Sequence, residues 1–211
     1  MGALPPERCL PGVKPFSAIC LDLLGRVVVR AMVNKRSLMK VWPLLFVCQA
    51  TGAMHLEVMH DYGTPAFLLQ WECFVTLRGT PSLVVSDQGK QLTSSSNEAA
   101  FSKKEKPESW DWKELQEAGA KAGTEWKFVE AGCQFRNGLA EARVKATKKT
   151  LQHMLTTAVN GGKPTLSYAE LQTLLSKIAN VINDRPIGVQ GLTEDELVPL
   201  TVNQLLLGRK S

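Results

Sequence analysis

The chain has 211 residues, 44% of them apolar and 21% charged, and a formal net charge of +5 at pH 7. One substantial α/β core fits that length better than two, and neither a run of roughly 18 apolar residues nor a basic-then-apolar leader directs the chain into or across a membrane. Its five cysteines are scattered and never two residues apart, so they form neither a disulfide framework nor a zinc knuckle and are expected to be reduced thiols, mostly in the core.

After a Pro-rich opening (Pro5, Pro6, Pro11, Pro15), apolar runs at about 16–24, 40–50 and 53–60 predict three antiparallel strands, with a turn at Thr51-Gly52. Thr64 is the expected N-cap and Pro65 the first residue of a helix that places Phe67, Trp71, Phe74 and Val75 on one face and ends at Arg78-Gly79. Residues 81–86 read as a short buried strand, and the helix before it implies a crossover that sets this strand parallel to the first. The polar stretch from Gly89 to Ser109 reads as a long loop or insertion. A short helix at 110–122 and a strand at 124–129 precede a break in regularity at 130–138. The recurrence of Ala140, Val144, Thr147, Leu151, Met154 and Ala158 predicts a helix over 139–158, with Glu141, Lys145, Lys148 and Gln152 on the adjacent stripe. Ser167-Tyr168-Ala169-Glu170 is a capping box that opens another helix through Leu171, Leu174, Leu175, Ile178 and Ile182, closed by Asn183-Asp184-Arg185-Pro186.

Asp22 ends the first apolar run, Asp87 ends the crossover strand, and Glu141 lies in the first turns of the 139–158 helix. A carboxylate at the end of a buried strand is poorly solvated unless a cation meets it, because an unpaired charge in low dielectric costs several kcal/mol. A divalent metal site is the economical explanation, although a lone aspartate at a strand end is more often a turn acid or helix cap. The parallel crossover brings Asp22 and Asp87 together. Around Glu141 cluster Arg136, Arg143, Lys145, Lys148 and Lys149, which read either as a solvated face or as a nucleic-acid contact. His55 is expected to be a hydrogen-bonded sheet residue, Glu57 the solvent side of an alternating strand, Asp61 a turn acid, and Trp110 and Trp112 packing residues.

A strand aspartate, a crossover strand bearing Ser86-Asp87-Gln88-Gly89 and a helix-borne glutamate, in that order, resemble the catalytic core of integrases and transposases. The likeness extends over nearly the whole chain through Asn34-Lys35-Arg36, Gly52-Ala53-Met54-His55-Leu56-Glu57, Asn137-Gly138-Leu139-Ala140-Glu141, Asn183-Asp184-Arg185-Pro186 and Leu205-Leu206-Leu207-Gly208-Arg209. Together these resemble the integrase of BEL/Pao-type LTR retrotransposons.

That resemblance implies an α/β chain with a ribonuclease H-like fold, a mixed five-stranded sheet flanked by helices. It implies a catalytic core over 16–186, a lead-in at 1–15 and a tail at 187–211 leading towards a further domain, with a zinc-binding module expected upstream of the chain. The implied activity is that of a polynucleotidyl transferase joining retroelement DNA ends to target DNA in the nucleus, after a cytoplasmic particle stage, as a homo-oligomer. Asp22, Asp87 and Glu141 correspond to the catalytic acids, with Asp22 bridging two metal ions and the other two holding one each. All-oxygen ligands favour Mg²⁺, with Mn²⁺ as a substitute. DNA phosphates would fall to Lys145, Lys148, Lys149, Arg136 and Arg143, and DNA ends to Gln134 and Asn137, the last equally suited to capping the helix. Arg26, Gln88, Lys90 and Val202 depart from the usual pattern without removing a metal ligand. They leave open a catalytically inactive, co-opted descendant that binds nucleic acid or protein.

Overall fold

The computed structural model describes residues 14–31, 36–87, 110–129, 142–143, 145–151, 153–154, 165–190 and 197–208. The loop expected at 89–109 and the break at 130–138 lie outside them.

β1 (Ala18–Leu23) pairs antiparallel with β3 (Leu38–Cys48), Ile19 opposite Cys48 and Asp22 opposite Leu45. Leu24 N still donates to Pro43 O at 3.0 Å, the ladder breaks at Gly25, with a φ of 93°, and it resumes in β2 (Val27–Arg30) with Val27 opposite Val41. β4 (Met54–Met59) runs antiparallel along the other edge of β3. After α1 (Thr64–Arg78), β5 (Leu83–Asp87) lies parallel to β1, the outcome a helical crossover requires. α2 (Trp112–Lys121) leads to β6 (Glu125–Val129), parallel to β5. Across the sheet the order is β4-β3-β1-β5-β6, with β2 continuing the line of β1 along β3. Helical residues 142–143, 145–151 and 153–154 form α3. Then come α4 (Tyr168–Asn183), a two-stranded antiparallel sheet of β7 (Pro186–Gln190) and β8 (Val198–Thr201), and α5 (Val202–Leu207). None of the helices described is long and apolar enough to cross a membrane.

The period-two alternation of strands divides the core between two faces. Ile19, Leu21 and Leu23 face α1 and α2, burying Phe67, Trp71, Phe74, Trp110 and Leu115. Aromatic rings dominate this layer: Phe46 stacks on Phe74 at 4.2 Å, Phe67 meets Trp110 at 4.6 Å, and Trp71 meets Trp126 at 5.5 Å. Cys20, Leu24 and Leu45 face the other way, against Leu151 of α3 and Leu171, Leu175 and Ile178 of α4. Full burial of each such side chain contributes about 1.5–3 kcal/mol. Cys20 and Cys48 are buried thiols, whereas the Cys73 thiol is exposed on α1.

Two local expectations change. The N-cap of α1 is Gly63, without a side-chain cap bond, and Thr64 stands one residue inside the helix. Its hydroxyl is taken instead by the backbone N–H of Asp111, at 2.9 Å, which ties the start of α2 to the start of α1. Glu57 is not on a solvent face: it is 8% exposed, because β4 is covered by α1 on one face and α4 on the other. Its carboxylate accepts from His55 Nε2 at 2.8 Å, while Arg78 Nε donates to His55 Nδ1 at 3.3 Å. The arginine thus fixes Nδ1 as the acceptor and leaves the Nε2 proton for Glu57.

β4 has a neighbour on one edge only, yet all six of its residues are buried. Its free backbone groups need partners, since buried unpaired N–H and C=O groups are costly. Asn183, at the end of α4, supplies a strand-like pair: its Oδ1 accepts from Met54 N at 2.8 Å and its Nδ2 donates to Met54 O at 2.9 Å. At the helix start, Tyr168 donates its hydroxyl to Val58 O at 2.9 Å. Burial pushes the Tyr168 phenol up, so the donor keeps its proton. The Ser167–Glu170 capping box fixes where α4 begins, and thereby the register of both contacts. Replacing Asn183 with Ala is expected to cost about 2–4 kcal/mol in urea unfolding, because it strands two buried backbone groups. A loss below about 0.5 kcal/mol would mean that water satisfies the edge instead.

Candidate functional site

Asp22 sits at the carboxyl end of β1, half-buried, with one carboxylate oxygen accepting from Leu23 N at 2.7 Å. It has the parity of Cys20 and Leu24, which belong to the face covered by α3 and α4. On the neighbouring parallel strand, the pairing of Leu21 with Ser86 makes 87 the next position in step with 22. Ser86 turns the opposite way, its hydroxyl accepting from Trp126 Nε1 at 2.9 Å, so position 87 shares the parity of Val85, which packs against the α4 side. Two parallel interior strands therefore end together at one end of the sheet, with acidic positions adjacent and on one face.

Glu141, Arg136, Gln134 and Asn137 lie outside the described residues; α3 is described from the residue after Glu141. Thr147 and Leu151 are its buried side. Lys145 and Lys149, four apart, share an exposed stripe, and Lys148 is half-buried beside them. Among the described residues no three His, Cys, Asp or Glu side chains are grouped to hold a metal.

Arg143 stands apart from those lysines. Its guanidinium reaches the β3–β4 turn, one nitrogen lying 2.9 Å from where a Cβ on Gly52 would stand, and a nitrogen of Arg185 comes within 2.7 Å of the same point. Arg185 is held by backbone carbonyls: Nη1 donates to Ile182 at 3.0 Å and Nη2 to Thr51 and Gly52 at 3.4 and 3.3 Å. No described carboxylate pairs with either arginine, and Arg143 Nε is buried without a partner among the described residues. Burial, and then the charge of Arg185, hold the Arg143 guanidinium down to about 10; burial lowers Arg185 too. Arg185 escaped the sequence reading because its motif was explained by the end of a helix.

No protein-family model matches the sequence, and no curated protein does. Solved structures with the same fold do exist. The chain is similar to an HTLV-2 integrase catalytic core domain in complex with magnesium, in a dimeric form (TM-score 0.54, 15% identity, covering 92% of this chain and 99% of that one). A trimeric form of that domain gives 0.53 at 16% identity, over 92% and 98%. A chain of a simian T-cell lymphotropic virus intasome gives 0.55 at 15% identity, over 98% of this chain and 59% of that one. The mixed sheet flanked by helices is thus a ribonuclease H-like fold of the kind found in retroviral integrase cores.

The crowding of two cations has a measurable signature. A folded-state value lowered to about 10 means that the charged form of Arg143 is penalised at neutral pH, and that stability rises with pH above about 10, where the unfolded chain binds the extra proton. In phosphate-free buffer, Arg143→Met is expected to raise the unfolding midpoint at pH 7, and the gain over the parent should shrink once pH passes about 10. A lower midpoint at pH 7 would contradict an uncompensated charge.

Proposed function

We propose that this chain is the catalytic core of a DNA strand transferase, inserting the DNA ends of a BEL/Pao-type retroelement into target DNA. The register that sets positions 22 and 87 side by side, at the ends of parallel strands in a ribonuclease H-like sheet, carries the reading. The magnesium in the HTLV-2 core structures and the intasome neighbour support it at the level of fold.

Asp22 and Asp87, with Glu141 from the helix that follows, would hold Mg²⁺, or Mn²⁺ in its place. The donor set fits: carboxylate oxygens are the ligands a hard cation takes, and the Asp22 carboxylate is half-exposed with one oxygen already oriented by Leu23 N. Bound there, such ions would supply activation of the attacking hydroxyl and charge stabilisation at the leaving oxygen. In the reaction a 3′-hydroxyl oxygen of one DNA end bonds to a target phosphorus while the bond from that phosphorus to the target 3′ oxygen breaks. The departing oxygen gains a proton and the attacking one loses it, so phosphodiesters are conserved in number. Lys145, Lys148 and Lys149, helped by Arg136, hold backbone phosphates without reading bases; Gln134 and Asn137 approach the DNA ends. The protein works in the nucleus as a homo-oligomer, since two DNA ends must be served at once.

Strand-transfer and disintegration assays test this in Mg²⁺ and in Mn²⁺. Asp22→Asn and Asp87→Asn should each reduce joining by more than about 100-fold, beyond the loss expected for an outer-shell partner. Metal-dependent joining that survives either change, or its absence in the parent together with its flanking domains, overturns the assignment. In the latter case a non-catalytic, co-opted binding domain is the reading left standing. Lys145→Ala and Lys149→Ala should weaken duplex binding uniformly across sequences, each lowering the salt slope by about one.

A further inference from the structure

We infer that Arg143 and Arg185 form a phosphate-binding site on the β3–β4 turn, away from the carboxyl ends of β1 and β5 that carry Asp22 and Asp87. Both guanidiniums converge on one point above Gly52, whose φ of +64° and lack of a Cβ let them settle there. Arg185 is preorganised by three carbonyl contacts, which orient its fork without cancelling its charge. Arg143 lacks a described partner for its buried Nε and no carboxylate among the described residues meets either group. The two guanidiniums lie side by side and are only partly exposed, so their repulsion is incompletely screened, and an anion that meets both offsets it. A carboxylate has two oxygens and satisfies one fork; a tetrahedral phosphate presents oxygens to both.

Position argues for a phosphate other than the reacting one. Cys48, which precedes the turn, pairs with Ile19, whereas Asp22 pairs with Leu45. Three residues of strand separate those levels, about 10 Å at roughly 3.3 Å per residue. The site exists whether or not the acids perform chemistry. That a DNA backbone supplies the phosphate rests on the function proposed above, and free phosphate is the other source.

The test uses the full chain in phosphate-free buffer. Orthophosphate should raise the unfolding midpoint of the parent, and Arg143→Gln and Arg185→Gln should each weaken its apparent affinity about tenfold. Arg185→Lys, which keeps the charge but loses the fork, serves if Arg185→Gln fails to fold, and should weaken binding as well. A midpoint that does not respond to orthophosphate, or responds equally in the parent and in Arg143→Gln, overturns the site. Duplex DNA then distinguishes the sources. If DNA is the source, Arg143→Gln lowers the salt slope of duplex binding by about one. An unchanged slope with phosphate binding lost assigns the site to free phosphate. Should Lys145→Ala leave duplex binding untouched while orthophosphate still binds, the DNA-interface reading fails and the anion site stands.

Discussion

A strand with one neighbour must find partners for its other row of backbone groups, and this molecule answers with the side chains of a helix. α4 lies along the open edge of β4 and closes it at two points, Tyr168 on Val58 and Asn183 on Met54. An amide that accepts and donates to one residue reproduces what a neighbouring strand would do. With the edge sealed, β4 is buried on every side, β3 has partners on both edges, and β1 becomes an interior strand able to carry a polar terminus between two packed layers. The polar trio of His55, Glu57 and Arg78 is tolerated on the opposite face of β4 because each member answers another.

That arrangement decides where chemistry can sit. In a pleated sheet, parity is inherited: once Leu21 and Leu23 are committed to the aromatic layer, Asp22 is committed to the layer of α3 and α4. A parallel neighbour in register brings the same parity and the same polarity of chain end. The lysine stripe of α3 is placed by the same logic, since Thr147 and Leu151 turn inwards and leave Lys145 and Lys149 outside. Arg143 takes a third direction and crosses to the far turn, which separates a charge that was grouped with the lysines by sequence alone.

Features written in local chemistry were legible from the amino acids. The alternating runs of β1, β3 and β4, the Pro-led start of α1, the parallel placement of β5 and the capping box at Ser167 all depend on neighbours within a few residues. What depends on distant partners was not. Asn183 read as a helix end, although its partner lies 129 residues away. Thr64 read as a cap because nothing nearby reveals that Asp111 will claim its hydroxyl. Glu57 alternates like a surface residue, and only the covering of β4 by two helices buries it. β2, β8 and α5 are four to six residues each, too short for periodicity to declare them. That positions 22 and 87 come next in register followed from the crossover; the place of Glu141 lies outside the described residues.

The uneven distribution of rings has an optical consequence. Trp42, Trp71, Trp110 and Trp126 all belong to the layer of α1 and α2, while the opposite layer offers Tyr168 as its aromatic chromophore among the described residues. Emission from these four indoles will therefore follow melting on one side of the sheet and stay nearly blind to events on the other. A spectroscopist watching indole alone would see the half of the protein that holds no candidate acid.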